Sequence, residues 1–287
     1  MMLLAAAAPE NPLEHIVQHP LVQKAAPWAP GGAITLLSDQ IVMMIVAALL
    51  LILIVPAMVR KRKGTDPVGS LVPFGFGNFV EAVCTYLRDE VARPNLGEHT
   101  DRFVKYLWTL FFFILTINLL GLLPIAPLGK LFGTHAGGTA TGNIWVTGTL
   151  AACTLLMMVI NGLRLGGRHY LAHFSPGPLW LAPLLVPLEI IGLFSKAFAL
   201  CVRLFANMLS GHVLLAVLLS FITGAMATKG ALGLGIAVPT VLGSVAIMML
   251  ELFVAFLHAF IFTFLTALFL GQSVVFHHGH SEAAAAH

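Results

Sequence analysis

The chain has 287 residues, 59% of them hydrophobic and only 9% charged, with a mean hydropathy of +0.95. Soluble domains carry about 25% charged residues, so the composition excludes a soluble enzyme and indicates an all-α polytopic membrane protein. A net charge of +3 is too small for a nucleic-acid-binding surface. Cys84, Cys153 and Cys201 show no CxxC or metal spacing, so they read as small apolar residues.

In chain order, residues 1–38 form an outward-facing N-terminal segment. Its first residues, MMLLAAAAPENP, lack a basic n-region and have a short apolar core, which argues against a cleaved signal peptide. The first span covers about 39–59 and stops at the basic run Arg60 to Lys63. Residues 69–95 mix Phe74, Phe76 and Phe79 with Glu81, Arg88, Asp89 and Glu90, a pattern that suits a helix lying in the interface. The next spans cover about 103–123, ending in GLLP, and 144–163, after a Gly-rich loop. The last two cover about 188–221 and 241–275, with a connection near Thr223 to Leu234. The first of these is 34 residues without a proline, or about 50 Å as one helix. A bilayer core is only about 30 Å thick, so both helices are expected to lie strongly tilted, as a hairpin. The tail, 277–287, is rich in His and Ala and reads as polar and cytoplasmic, with no metal ligand set.

The basic residues sort by side. Arg60, Lys61, Arg62, Lys63, Arg88, Arg93, Arg102, Lys105, Arg164 and Arg168 fall on one side, and Lys24, Lys130 and Lys229 on the other. Ten against three predicts an outward N-terminus and a cytoplasmic C-terminus. The remaining two, Lys196 and Arg203, fall within the membrane region.

Arg203 is the most informative residue. It lies inside KAFALCVRLFANMLSGH, where a guanidinium that never deprotonates is costly to place. Such a charge requires an anion or water within an assembly. Glu189, Lys196, Arg203 and Ser210 recur every seven residues and share one stripe. Glu189 and Arg203 lie about 21 Å apart along the axis and so are not a contact pair. Ala199 and Ala206 near the stripe permit close approach of another helix. His212 lies near the opposite face, about 13 Å further outward. On the last helix Glu251 and His258 share a face, and an antiparallel hairpin brings Glu251 to the depth of His212. This pattern suits proton movement: His and a carboxylate relay protons, while Arg blocks direct passage. The carboxylate that Arg203 would meet is expected on another subunit. Lys196 either snorkels to the cytoplasmic interface or joins the proton path, and the first reading is preferred. His258 is open between an interhelix hydrogen bond and a channel role.

These residues resemble a known family. RLFANMLSGH (Arg203 to His212), NLLGLLP (Asn118 to Pro124) and LELFVAFLHAFIFTFL (Leu250 to Leu265) are similar to subunit a of the rotary F-type ATP synthase, and the resemblance covers about Asp39 to Gln272. It implies a non-catalytic stator subunit in a bacterial inner membrane, a mitochondrial location being the weaker alternative. It further implies two offset half-channels that load and unload protons on a carboxylate of the c-subunit ring. The partners implied are that ring, the peripheral-stalk b subunits, the rest of the complex and membrane lipid, with no cofactor or metal. Arg203 would separate the half-channels, Glu251 and His212 would serve the outward path, Glu189 the cytoplasmic path, and Asn207 would support the motif. Many bacterial members carry a carboxylate where His212 stands and a His where Glu251 stands; this chain has the exchange. His258 occupies a position usually held by Gln, which leaves its role open.

Two rival readings carry less. A stand-alone proton-coupled transporter would need its own substrate cavity, and the chain lacks matched Gly/Pro-broken helices. A serine hydrolase built on Ser210 with His212 or His258 fails because Met208 stands where the nucleophile turn needs glycine. No GxxxxGK[ST] run is present, so nucleotide chemistry belongs to other chains.

Overall fold

The computed structural model describes residues 20–25, 33–58, 75–122, 140–167, 170, 179–227 and 231–274. The basic run at 60–63, the loop histidines His135, His169 and His173, and the His-rich tail lie outside the described residues.

The described chain is almost entirely helical. It opens with one short antiparallel ribbon, β1 (Pro20–Ala25) and β2 (Ala33–Ser38), in which Gln23 faces Thr35 and Ala25 faces Ala33. The helices are α1 (Asp39–Met58), α2 (Phe76–Tyr86), α3 (Arg93–Leu96), α4 (Thr100–Leu122), α5 (Ile144–Gly166), α6 (Ala182–Ala227) and α7 (Ala231–Val274). Five stretches are long and apolar enough to cross a membrane: Asp39–Ala57, Phe76–Leu122, Ile144–Leu165, Ala182–Ile222 and Gly235–Val274. The all-helical, polytopic architecture read from composition is what the chain adopts, with the β1–β2 ribbon as an addition.

Three details differ from the pattern in the sequence. Residues 76–122 stay helical throughout, because a π-helical turn (Leu87–Ala92), α3 and a 3-10 turn (Gly97–His99) bridge α2 to α4. Gly97 sits there at φ 53, a left-handed value that suits glycine, and redirects the chain into α4. α6 begins at Ala182, ahead of Pro187, and α7 at Ala231, ahead of Pro239. Each proline removes one amide donor near the start of its helix, which kinks a helix without having to end it.

The chain divides into two compact units. One comprises Met1–Leu49, Leu115–Thr147 and Arg203–His258; the other comprises Leu50–Ile114, Gly148–Val202 and Ala259–His287. In the first, Met43, Ala47, Ile117, Leu204, Met208 and Ala255 are buried. The end of this unit where α1 and α5 begin holds a buried polar cluster. The Asp39 carboxylate accepts the Gln40 amide at 2.8 Å, the Ser38 hydroxyl accepts the Ile41 amide at 3.4 Å, and the Asn143 amide donates to Gln40 Oε1. Asn143 also caps α5 by accepting the Trp145 amide at 2.9 Å. Ser38 therefore caps α1, and Asp39, in the first turn and 2% exposed, accepts a second free amide there.

In the second unit, Leu87, Val91, Leu96, Phe103, Leu107 and Leu270 form the interior. The Trp108 indole donates to the Cys84 carbonyl at 2.8 Å and ties α2 to α4. Arg88 pairs with Asp101 at 2.7 Å, and Arg93 with Asp89 at 3.1 Å. Gly271 of α7 lies directly on the Asn95 carbonyl. Trp145 in the first turn of α5 and Trp180 in the 3-10 turn (Leu179–Leu181) just before α6 are each 80% exposed, where amphipathic rings anchor spans at an interface.

Candidate functional site

Arg203, Asn207, His212, Glu251 and His258 all belong to the first unit. α6 turns Leu200, Cys201, Leu204 and Met208 inward, at i, i+4 and i+8 spacing. The complementary face therefore points away from the protein. It carries Ala199, Arg203, Ala206 and Ser210, all exposed. The small residues flank the guanidinium, so another surface can approach it closely. The Ser210 hydroxyl donates to the Asn207 carbonyl at 2.9 Å, which satisfies its proton within the helix.

α7 presents Glu251 and His258 to the same unit. A Cβ on Gly211 would collide with Glu251 Oε1, so the carboxylate rests against the α6 backbone at Gly211, one residue from His212. Both Glu251 carboxylate oxygens are shielded from the surface. His258 is half-buried, and its Nδ1 lies 3.0 Å from the Val254 carbonyl. A carbonyl only accepts, so Nδ1 carries a proton and donates it, leaving Nε2 to exchange protons. Arg203 lies within electrostatic reach of this ring. Asn118 of α4 is fully buried and donates to the Ala255 carbonyl at 3.4 Å, bracing α7 between Glu251 and His258.

Glu189 and Lys196 lie on α6 in the second unit. Glu189 is half-buried. Tyr170 is buried near it, and its ring comes to 2.6 Å from where a Cβ on Gly162 would stand. Burial, and secondarily the Glu189 charge, push the Tyr170 phenol up, so it remains a hydroxyl donor. The Lys196 ammonium donates to Gln272 Oε1 at 3.0 Å and lies 5.3 Å from the centre of the Phe269 ring.

Sequence reasoning did not single out Gly211, Gln272 or Tyr170, and it used Asn118 only as part of a run. Gly211 alone had a signal, a glycine between Ser210 and His212 in a long helix, where glycine weakens the helix unless a neighbour must come close. Among the described residues no group of three or more His, Cys, Asp or Glu side chains is arranged to hold a metal ion.

Fold and site together define a multi-spanning helical membrane protein with ionisable groups placed within its spans. Residues 41–271 match the profile of the family described as ATP synthase A chain. Over 237 residues the chain is 44% identical to "ATP synthase subunit a" of Anaeromyxobacter dehalogenans strain 2CP-1, covering 79% of this chain and 55% of that protein. It is 43% identical to the protein of that name from Myxococcus xanthus, over 74% of this chain and 66% of the relative. It is 37% identical to "ATP synthase subunit a 2" of Chlorobaculum tepidum, over 99% of this chain and 80% of the relative. The chain belongs to the ATP synthase A chain family, and it is a multi-pass bacterial membrane protein. It spans 55% and 56% of the length of the two Anaeromyxobacter relatives 2CP-1 and Fw109-5.

Proposed function

We propose that this chain is the proton-translocating stator subunit of an F-type ATP synthase, without catalytic activity of its own. In this reading it lies beside a ring of c subunits, is held by the peripheral-stalk b subunits, and crosses the membrane with its N-terminus outside and its C-terminus in the cytoplasm. α6 and α7 exceed the thickness of the bilayer core and lie tilted across it.

A proton from outside reaches the ring by way of His212, Glu251 and His258. The ring carboxylate accepts it, becomes neutral and turns into lipid. Completing the circuit, a carboxylic acid approaches Arg203, where the positive charge favours ionisation. Its O–H bond breaks, the electron pair stays on the ring carboxylate, and the proton leaves towards Glu189 and the cytoplasm. Arg203 carries no exchangeable proton at working pH and so separates the two paths. Asn207, one turn beyond, supports that segment. Each proton crossing 100 mV delivers about 2.3 kcal/mol, so several must pass per ATP.

The observation that supports this most is the exposure of Arg203 on a face of α6 lined by Ala199 and Ala206. A permanent cation presented outward from an apolar helix needs an anion brought by a neighbour. The test is Arg203→Ala in membrane vesicles holding the whole complex. Proton-driven ATP synthesis is expected to vanish while the complex still assembles. Undiminished coupled synthesis would overturn the reading.

A further inference from the structure

Lys196 stands on the same α6 stripe as Arg203, seven residues earlier. That places it about 10 Å away along the axis, and a similar distance beyond Glu189. A lysine at such a depth ordinarily reaches for water on its flexible stem. This one is fixed instead. Its Nζ donates to Gln272 Oε1 at 3.0 Å and sits 5.3 Å from the Phe269 ring centre, and both anchors lie on one turn of α7. An amide oxygen and a ring face each favour the ammonium form. Neither neutralises its charge. Among the described residues it forms no ion pair, so it is a held cation that lies along α6 between Glu189 and Arg203.

We propose that Lys196 is a positioning residue for proton release: held by Gln272 and Phe269, it favours the ionised state of the carboxylates that give up protons on the cytoplasmic side. The inference rests on the stator reading above. The step itself is unchanged. The ring acid's O–H bond breaks, its electron pair remains on the ring carboxylate, and the proton passes to Glu189 or water. Lys196 exchanges no proton; its charge biases the direction. A cation beside this step eases release during synthesis and opposes uptake when ATP drives the ring backwards.

The experiment compares Lys196→Gln, Lys196→Arg, Gln272→Leu and Arg203→Ala in vesicles carrying the full complex. Gradient-driven ATP synthesis and ATP-driven proton pumping are both read, each normalised to assembled complex. Lys196→Gln is expected to slow synthesis about three- to tenfold, consistent with a charge acting across about 10 Å, and to leave pumping unchanged or faster. Lys196→Arg keeps the charge and restores at least half of the synthesis rate. Gln272→Leu keeps the charge but frees it, and falls between. Normal synthesis in Lys196→Gln, or equal loss in both directions in the Gln and Arg variants alike, overturns the proposal. If Lys196→Gln does not assemble, an unchanged synthesis-to-pumping ratio in Gln272→Leu overturns it. Retained coupling in Arg203→Ala would instead defeat the stator reading on which it rests.

Discussion

A methyl group at position 211 has no room, because its place is taken by the Glu251 carboxylate. Gly211→Ala must therefore push α6 and α7 apart or displace that carboxylate from its place against the α6 backbone. Overpacking of this kind costs about 1–3 kcal/mol, too little to unfold a long helical pair but enough to spoil a relay that depends on hydrogen-bond reach. The expected outcome is an assembled complex whose passive proton flux, measured after removal of the soluble sector, falls at least tenfold. Glu251→Gln should slow uptake more than His258→Gln. The Glu251 oxygens are shielded against Gly211, whereas His258 has one ring nitrogen committed to the Val254 carbonyl. Equal rates in the two variants would count against this arrangement. Gly162 offers a contrast. There a new Cβ meets the Tyr170 ring at 2.6 Å, a side chain that can shift, so Gly162→Ala should lower thermal stability by about 1–2 kcal/mol without abolishing coupling.

At the scale of elements, the end of α7 is locked to α3, because Gly271 lies on the Asn95 carbonyl and backbone cannot swing aside. Gly271→Ala should therefore harm assembly more than Gly162→Ala does, read as less complex recovered from membranes at equal expression. The helices themselves were legible because apolar runs of 20 residues or more have few alternatives in a bilayer. The starts of α6 and α7 were not, since Pro187 and Pro239 look like stops yet lie inside the helices. The π-helical turn at Leu87–Ala92 was not legible either; one extra residue per turn leaves no compositional mark. The site was half legible. Arg203, Glu189 and Lys196 declare themselves as charges in an apolar run. Their partners do not, because the contact of Lys196 with Gln272 joins residues 76 apart through the register of two helices. Residues 76–95 are helical, as the sequence implied, and the helical path continues from there to Leu122.

Across the whole molecule, large apolar side chains face outward: Ile52, Leu53, Phe198 and Leu242 are each 66% exposed or more. In water such a surface would aggregate; in lipid it is the solvated face. What such a surface cannot specify is which way round the protein sits, and the basic residues must decide that. Ten lie on the proposed cytoplasmic side and three on the outer side, a bias that opposes translocation of the basic loops. In a background with Cys84, Cys153 and Cys201 replaced by alanine, single Arg62→Cys and Lys130→Cys variants report the orientation. A membrane-impermeant maleimide should label Lys130→Cys in cells whose outer barrier is opened, and Arg62→Cys only in inverted vesicles. The opposite pattern would turn the molecule over. Glu251 would then face the cytoplasm and Glu189 the outside, so the uptake and release paths would exchange places and Lys196 would sit on the side where protons arrive.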